Sequence, residues 1–130
     1  MKNYIEYKDL RLKITAARAI EIEDKLGAGI IEKMNSSTDQ LRTLATVLAG
    51  AIEQGDYEER HTKALEIYDD IAENGGNIVD YQLLVFEVLV AAGFMSGEEL
   101  KLKKAIAENQ KKILAESAKR LEELKTSSQE

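Results

Sequence analysis

The chain has 130 residues, of which 44% are hydrophobic and 32% are charged, and this composition suits one domain with an apolar core and a charged surface. The net charge of −6 argues against binding to nucleic acid or to an anionic membrane surface, because both depend on basic side chains. Cysteine and proline are absent, so there is no disulfide and no proline break in a helix. The charged N-terminus lacks an apolar run of signal-peptide length.

Residues 5–7 and 10–14 alternate apolar and charged side chains, which is the pattern of a β-strand. The alternation predicts a hairpin that pairs residues 4–7 with residues 10–14 and turns at Lys8-Asp9. An isolated hairpin is only marginally stable in water, so its apolar face must lie on helices.

A short helix is predicted over residues 16–26, with Thr15 as its N-cap and Gly27 as the left-handed residue that ends it. Residues 30–34 can add one further helical turn, and residues 35–37 are predicted to form a loop. Ser37 with Gln40 then matches a capping box.

The next two helices carry apolar stripes at spacings of three and four. The first runs to Gly55, and Gly50 within it is expected to be a weak point that costs about 1 kcal/mol relative to alanine. Asp56 is the predicted cap of the second helix, which ends at Asn74-Gly75-Gly76. The stripes are Leu41, Leu44, Ala45, Leu48 and Ile52 in the first helix, and Ala64, Leu65, Tyr68 and Ile71 in the second.

Residues 77–94 are the most apolar part of the chain, and such a helix must be buried. Glu87 interrupts the run, which is far shorter than the roughly 20 residues that span a bilayer. We therefore predict a mainly α fold, in which a compact helical domain surrounds a buried central helix at about 77–94. Three environments are open for Glu87: burial with a shifted pKa, a position on the solvent-facing edge of the helix, or pairing with a lysine from the last helix.

Ser96 and Glu99 match another capping box, and no helix breaker follows before residue 125. The sequence thus predicts a domain over residues 1–95, a long helix over 96–125 and a frayed tail over 126–130. Apolar residues recur every seven positions in the long helix, but lysines at 104 and 111 weaken the second half of a coiled-coil seam. A strong self-dimerising coil is therefore disfavoured, although a homo-oligomer stays open.

No pattern in the sequence is typical of a catalytic centre or of a cofactor site. Glu58 and His61 have the spacing found in di-iron bundles, but such sites need two of these motifs and the chain has one histidine. We expect His61 to face the surface. The glycines match neither a dinucleotide-binding nor a phosphate-binding loop. The prediction is a protein without catalytic activity, metal or cofactor.

The remaining functional hypothesis is a surface for a protein partner on the long helix. Leu114, Leu121 and Leu124 are the predicted partner-binding residues. Two arrangements stay open. Part of the helix can pack on the domain while another part presents these leucines outward, or the whole helix can dock along the domain.

Two stretches carry a resemblance to a known family. ITAARAIEIEDKLG, residues 14–27, resembles the opening helix of phage tail assembly chaperones. ALEIYDDIAENGGNIVDYQLLVFEVLVAAGFM, residues 64–95, resembles their later segment, in which a Tyr-Asp pair precedes an acidic, glycine-bearing turn and an apolar helix that ends in a small residue, Gly and Phe. The similarity covers roughly residues 4–95 and leaves the last helix outside.

The resemblance implies a chaperone that binds the tape measure protein of a long-tailed phage and keeps it soluble until the tail tube assembles. It also implies action in the cytoplasm of the bacterial host, absence from the mature virion and the major tail tube protein as a second partner. Many members have a short and a frameshifted long form, and this chain looks like the short form. The alternative is a small acidic helical adaptor or regulator of a phage or prophage.

Overall fold

The computed structural model describes residues 2–36 and 40–128, with side chains described as far as residue 124. These residues form a mainly helical fold with a short N-terminal hairpin and a long C-terminal helix, as predicted. The elements in chain order are β1 (Ile5–Tyr7), β2 (Leu10–Leu12), α1 (Ala16–Leu26), α2 (Ile30–Ser36), α3 (Gln40–Ala51), α4 (Tyr57–Glu73), α5 (Ile78–Ala91) and α6 (Gly97–Ser128).

The hairpin lies at the predicted place and is fastened to helices at both ends. β1 and β2 pair antiparallel, with Ile5 opposite Leu12. Lys8 takes the left-handed conformation in the turn, with φ 52°, where tight hairpins usually place glycine. The Tyr7 hydroxyl and the Lys8 ammonium both bond to the carboxylate of Asp70 on α4. Burial, together with this hydrogen bond, raises the pKa of Tyr7 to about 12.

Capping side chains begin three helices as the sequence predicted. Thr15, Asp56 and Asn77 each accept a backbone N–H in the first turn of α1, α4 and α5. The carboxylate of Asp80 completes a capping box by accepting the backbone N–H of Asn77 at 2.9 Å. Gly27 ends α1 with φ 74°. These local bonds fix the helix starts before any tertiary contact is considered.

The boundaries of α2 and α3 differ from the prediction. The predicted loop at residues 35–37 is wrong at its first two positions, because α2 continues through Ser36. Ser37, and with it the predicted capping box, lies outside the described residues. α3 ends at Ala51 instead of near Gly55, since Ile52 forms a β-bridge with Leu12 of the hairpin. A tertiary backbone contact therefore ends this helix.

α3 is the most enclosed helix of the described chain. Every residue from Thr43 to Ala51 is buried, and α3 packs on α1, α2, α4, α5 and β2. α5 is a core helix, as predicted, but it buries only one side, through Tyr81, Val85, Phe86, Val88 and Leu89. α3 is less hydrophobic than α5, but its many small residues let neighbouring helices approach on all sides. Enclosure thus follows side-chain size here more than hydrophobicity.

The closest of these helix contacts is the one between α1 and α3 at Gly50. A Cβ at this position would lie 2.3 Å from the Cδ1 and Cγ1 atoms of Ile22 on α1. The sequence marks Gly50 as a weak point of the helix, whereas the structure shows that α1 and α3 can meet here only over a glycine.

Arg60 secures the C-terminal end of α3, and no sequence pattern indicated this role. Its side chain is buried, with Nη1 donating to the carbonyl of Ala49 at 2.8 Å and Nε donating to the carbonyl of Gly55 at 3.1 Å. Nη1 also forms an ion pair with Glu21 of α1 at 2.8 Å. The hydrogen bond from Arg60 lowers the pKa of Glu21. A cation at this position suits the negative end of the α3 dipole and satisfies a helix-terminal carbonyl.

α6 continues through Ser128, three residues beyond the predicted end of the helix at 125, and residues 129–130 lie outside the described residues. Within the described part of the chain, no helix combines the length and apolarity that crossing a bilayer requires.

We expect Leu89→Asp to unfold the protein. Leu89 has no solvent exposure, and an unpaired buried charge costs several kcal/mol, a large share of the stability of a small domain. Leu114→Asp is the matched control, because that leucine is exposed on α6. Thermal unfolding followed by circular dichroism should show no cooperative transition for the first variant and a near-native one for the control. Two equal transitions would show that α5 is not part of the core.

Gly50→Ala should destabilise the protein by about 1–3 kcal/mol, because overpacking against Ile22 outweighs the gain in helix propensity. Gly29→Ala is the control, since the nearest atom to a Cβ at position 29 would be Glu32 Oε2 at 3.9 Å. Urea unfolding gives both free energies. Higher stability in Gly50→Ala would contradict the close contact between α1 and α3.

Candidate partner-binding surface

The two halves of α6 have different surroundings. The first half, as far as Lys111, contacts α5. Every side chain of residues 112–124 is exposed, over roughly 20 Å of helix at 1.5 Å per residue. Of the two arrangements that the sequence left open, the structure shows the one in which part of the helix packs on the domain and part presents its leucines outward.

The docked half of α6 is attached mainly through charged side chains. Lys104 forms an ion pair with Glu87 of α5 at 3.3 Å, and Lys111 forms one with Asp80. Pairing of Glu87 with a lysine of the last helix is one of the three environments predicted for this residue. Burial acts to raise the pKa of Asp80, but hydrogen bonds from Lys111 and from the backbone of Asn77 lower it overall. Ala107 is the buried apolar residue of this contact.

The lowered pKa of Asp80 gives this attachment a defined pH dependence. An acid whose pKa is lowered on folding stabilises the folded state above its unfolded pKa, and this contribution is lost as the pH falls through the folded pKa. The α5–α6 contact should therefore be intact at neutral pH and weaken in acid.

The three predicted partner-binding residues lie on the projecting half of α6. Leu114, Leu121 and Leu124 are 60%, 61% and 67% exposed, so none of them packs on the domain. At about 100° per residue, Leu114 and Leu121 share one line along the helix, and Leu124 lies roughly 60–80° away. The structure thus places all three on one side of the projecting helix.

Three further exposed residues extend this apolar surface. Ile113 lies beside Leu114, and Ile106 lies seven residues before Ile113 on the same side of the helix. The spacing of seven between these isoleucines was visible in the sequence and could have identified them. The surface, called here the α6 strip, consists of Leu102, Ile106, Ile113, Leu114, Leu121 and Leu124. It runs about 33 Å along the helix.

Charged residues occupy the opposite side of the projecting half. Lys112 and Lys119, seven residues apart, lie roughly 150–170° from the middle of the strip, and both are exposed. This half of α6 is therefore amphipathic, with an apolar side that no described residue covers.

The remaining candidate chemistry does not converge on a site. The ring of His61 stacks on Tyr57, with 5.7 Å between centroids, and is partly exposed as predicted. It borders a shallow groove with Leu41 and Leu65. Among the residues that the structure describes, no three acidic, histidine or cysteine side chains are grouped so that they could hold a metal ion.

Comparisons with known proteins add no assignment. No protein-family model matches the chain, and neither the search of curated proteins nor that of solved structures found a match.

We expect Leu114→Ala with Leu121→Ala to change the free energy of unfolding by less than about 0.5 kcal/mol per site, because exposed side chains contribute little to stability. Leu44→Ala with Leu48→Ala is the contrast, since these leucines are buried in α3 and each truncation should cost about 2–5 kcal/mol. Urea unfolding measures both. A large loss in the α6 variant would mean that the strip packs on the domain in solution.

Proposed function

We propose that this protein is a non-catalytic binding protein that holds an amphipathic helix of another protein along the α6 strip. The strip supports this proposal because a long apolar surface on an otherwise charged chain typically marks a site of protein contact. An exposed amphipathic helix can form an apolar seam with a partner helix, through anchors spaced three, four and seven residues apart.

The more specific proposal is a phage tail assembly chaperone whose partner is the tape measure protein. Residues 14–27 and 64–95 support it by their resemblance to that family. In this role the protein keeps the tape measure protein soluble in the cytoplasm of the bacterial host, and it is not retained in the mature virion. The major tail tube protein is a second candidate partner.

The distribution of charge is compatible with such a holder. The net charge of −6 favours solubility of the free protein and of a complex that has covered its apolar strip. The strip lies on the helix that follows residue 95, outside the region of resemblance. On this proposal, residues 4–95 form the scaffold and α6 supplies the contact surface.

Co-expression with the tape measure protein of the same genome tests the proposal. We expect the wild-type chain to keep that protein in the soluble fraction and to co-purify with it. Leu114→Ala with Leu121→Ala should lower the recovered complex about tenfold or more, because it removes two apolar anchors that lie seven residues apart on the binding face of the helix. Lys112→Ala with Lys119→Ala, on the opposite side of α6, is the matched control and should behave as wild type.

Each failure has a separate meaning. If the wild-type chain neither solubilises nor retains the tape measure protein, the chaperone proposal is wrong and an adaptor or regulator with another protein partner takes its place. If all three chains retain the protein equally, the partner binds elsewhere than on the strip. Self-association through the strip would appear as a dimer of the wild-type chain that the leucine variant abolishes.

A further inference from the structure

Two acidic residues on α5 face two lysines on α6 at the same spacing, and this set of four residues is called here the charge ladder. Asp80 and Glu87 are seven residues apart on α5, and Lys104 and Lys111 are seven residues apart on α6. A spacing of seven returns to nearly the same side of a helix after two turns. Glu87 pairs with Lys104 at 3.3 Å and Asp80 pairs with Lys111, so the two helices run antiparallel in register.

Apolar packing contributes little to this contact. Ala107 is the one buried residue of α6 in its described part, and Leu100 is half-buried. The lysine side chains of the ladder remain 47% and 43% exposed, so their ion pairs are screened by solvent and salt. The attachment of α6 is therefore weak in comparison with the packing of α1 to α5.

A gap remains between the two helices. A cleft of about 320 Å³ lies open between them, bordered by Val79, Leu83 and Phe86 of α5 and by Lys103 and Ile106 of α6. Its lining combines apolar and polar side chains. α6 therefore lies over this face of α5 without closing the space between the two helices.

The link between α5 and α6 is short and contains a glycine in the left-handed conformation. Gly93 has φ 87° in the short connection after α5, and Met95 is buried in the core just before α6 begins. A swing about this connection would break the two ion pairs and expose Leu83, while the contacts among α1 to α5 would stay in place.

We propose that the α5 outer face, defined as Val79, Asp80, Leu83 and Glu87, is a second helix-docking surface that α6 covers in the free protein. Its occupant is a partner helix with two cations seven residues apart beside an apolar face. The acidic residues of the charge ladder select this charge pattern, and α6 itself shows how such a helix fits. This surface is separate from the α6 strip, and its test needs no other protein.

The direct test uses a fluorescent peptide of residues 97–124 as the probe. The host is the full chain with Lys104→Glu and Lys111→Glu, whose own α6 is repelled from Asp80 and Glu87. We expect this host to bind the wild-type peptide at least tenfold more tightly than the wild-type chain does, because a tethered helix competes at high effective concentration. Fluorescence anisotropy at low salt measures both affinities, and raised salt should weaken binding.

A peptide carrying the same two glutamates is the control and should not bind. Equal binding of both peptides would overturn the role of the charge ladder. If the wild-type peptide does not bind to the charge-reversed chain, the α5 outer face is not a docking surface.

A second measurement covers the case in which the doubly reversed chain does not melt cooperatively. Because the chain has no cysteine, spin labels can be attached at Thr62→Cys on α4 and Ala115→Cys on α6. Electron–electron distance measurements should give a narrow distribution in the otherwise unchanged protein, a broad one with Lys104→Glu and a narrow one again when Glu87→Lys is added. A narrow distance distribution in Lys104→Glu would show that α6 does not detach from α5 when the ion pair is lost. A distribution that stays broad in the charge-swapped chain would show that the ion pair does not hold α6 in place.

Discussion

The close packing around α3 is the constraint on which the rest of the fold depends. Because Gly50 has no side chain, α1 approaches α3 so closely that a Cβ at position 50 would lie 2.3 Å from Ile22. Arg60 then donates to the buried carbonyl of Ala49 near the C-terminal end of α3 and pairs with Glu21 on α1. With α3 enclosed, α4 and α5 pack on it from other sides, and the hairpin adds Leu12 to its end. The cost of burying Arg60 is offset because its charge is paired with Glu21 and because Nη1 and Nε donate hydrogen bonds to backbone carbonyls.

The same arrangement leaves α6 at the periphery. The buried cluster draws on the hairpin, α1 to α5 and Met95, and the half-buried Leu100 of α6 packs against it. α6 is held by two ion pairs and by modest apolar contact, and every side chain of residues 112–124 is exposed. A helix attached in this way can present an apolar surface to a partner at little cost to the stability of the domain. This separation of core from periphery is the physical basis of both proposals.

Much of the local structure could be predicted from sequence because its causes are local. The hairpin followed from alternation of apolar and charged residues, and the start of α5 followed from Asn77 and Asp80, whose reciprocal bonds form within one helical turn. The end of α3 could not be predicted, because the partner of Ile52 is Leu12, forty residues away. The sequence identified Leu114, Leu121 and Leu124 as candidate site residues but did not predict their exposure. Their exposure depends on whether the folded domain has a surface on which they can pack.

The helical class, the hairpin, most helix caps and the apolar character of α5 and α6 can be read from the amino-acid sequence, because these depend on side-chain type and spacing within one segment. The three-dimensional arrangement is needed to show which helix is most enclosed, why Gly50 is required and where α6 leaves the domain. Those features depend on pairs of residues distant in the chain, such as Glu87 with Lys104 or Gly50 with Ile22. Hydrophobic periodicity shows which side of a helix is apolar, whereas the size and charge of its neighbours decide whether that side is covered.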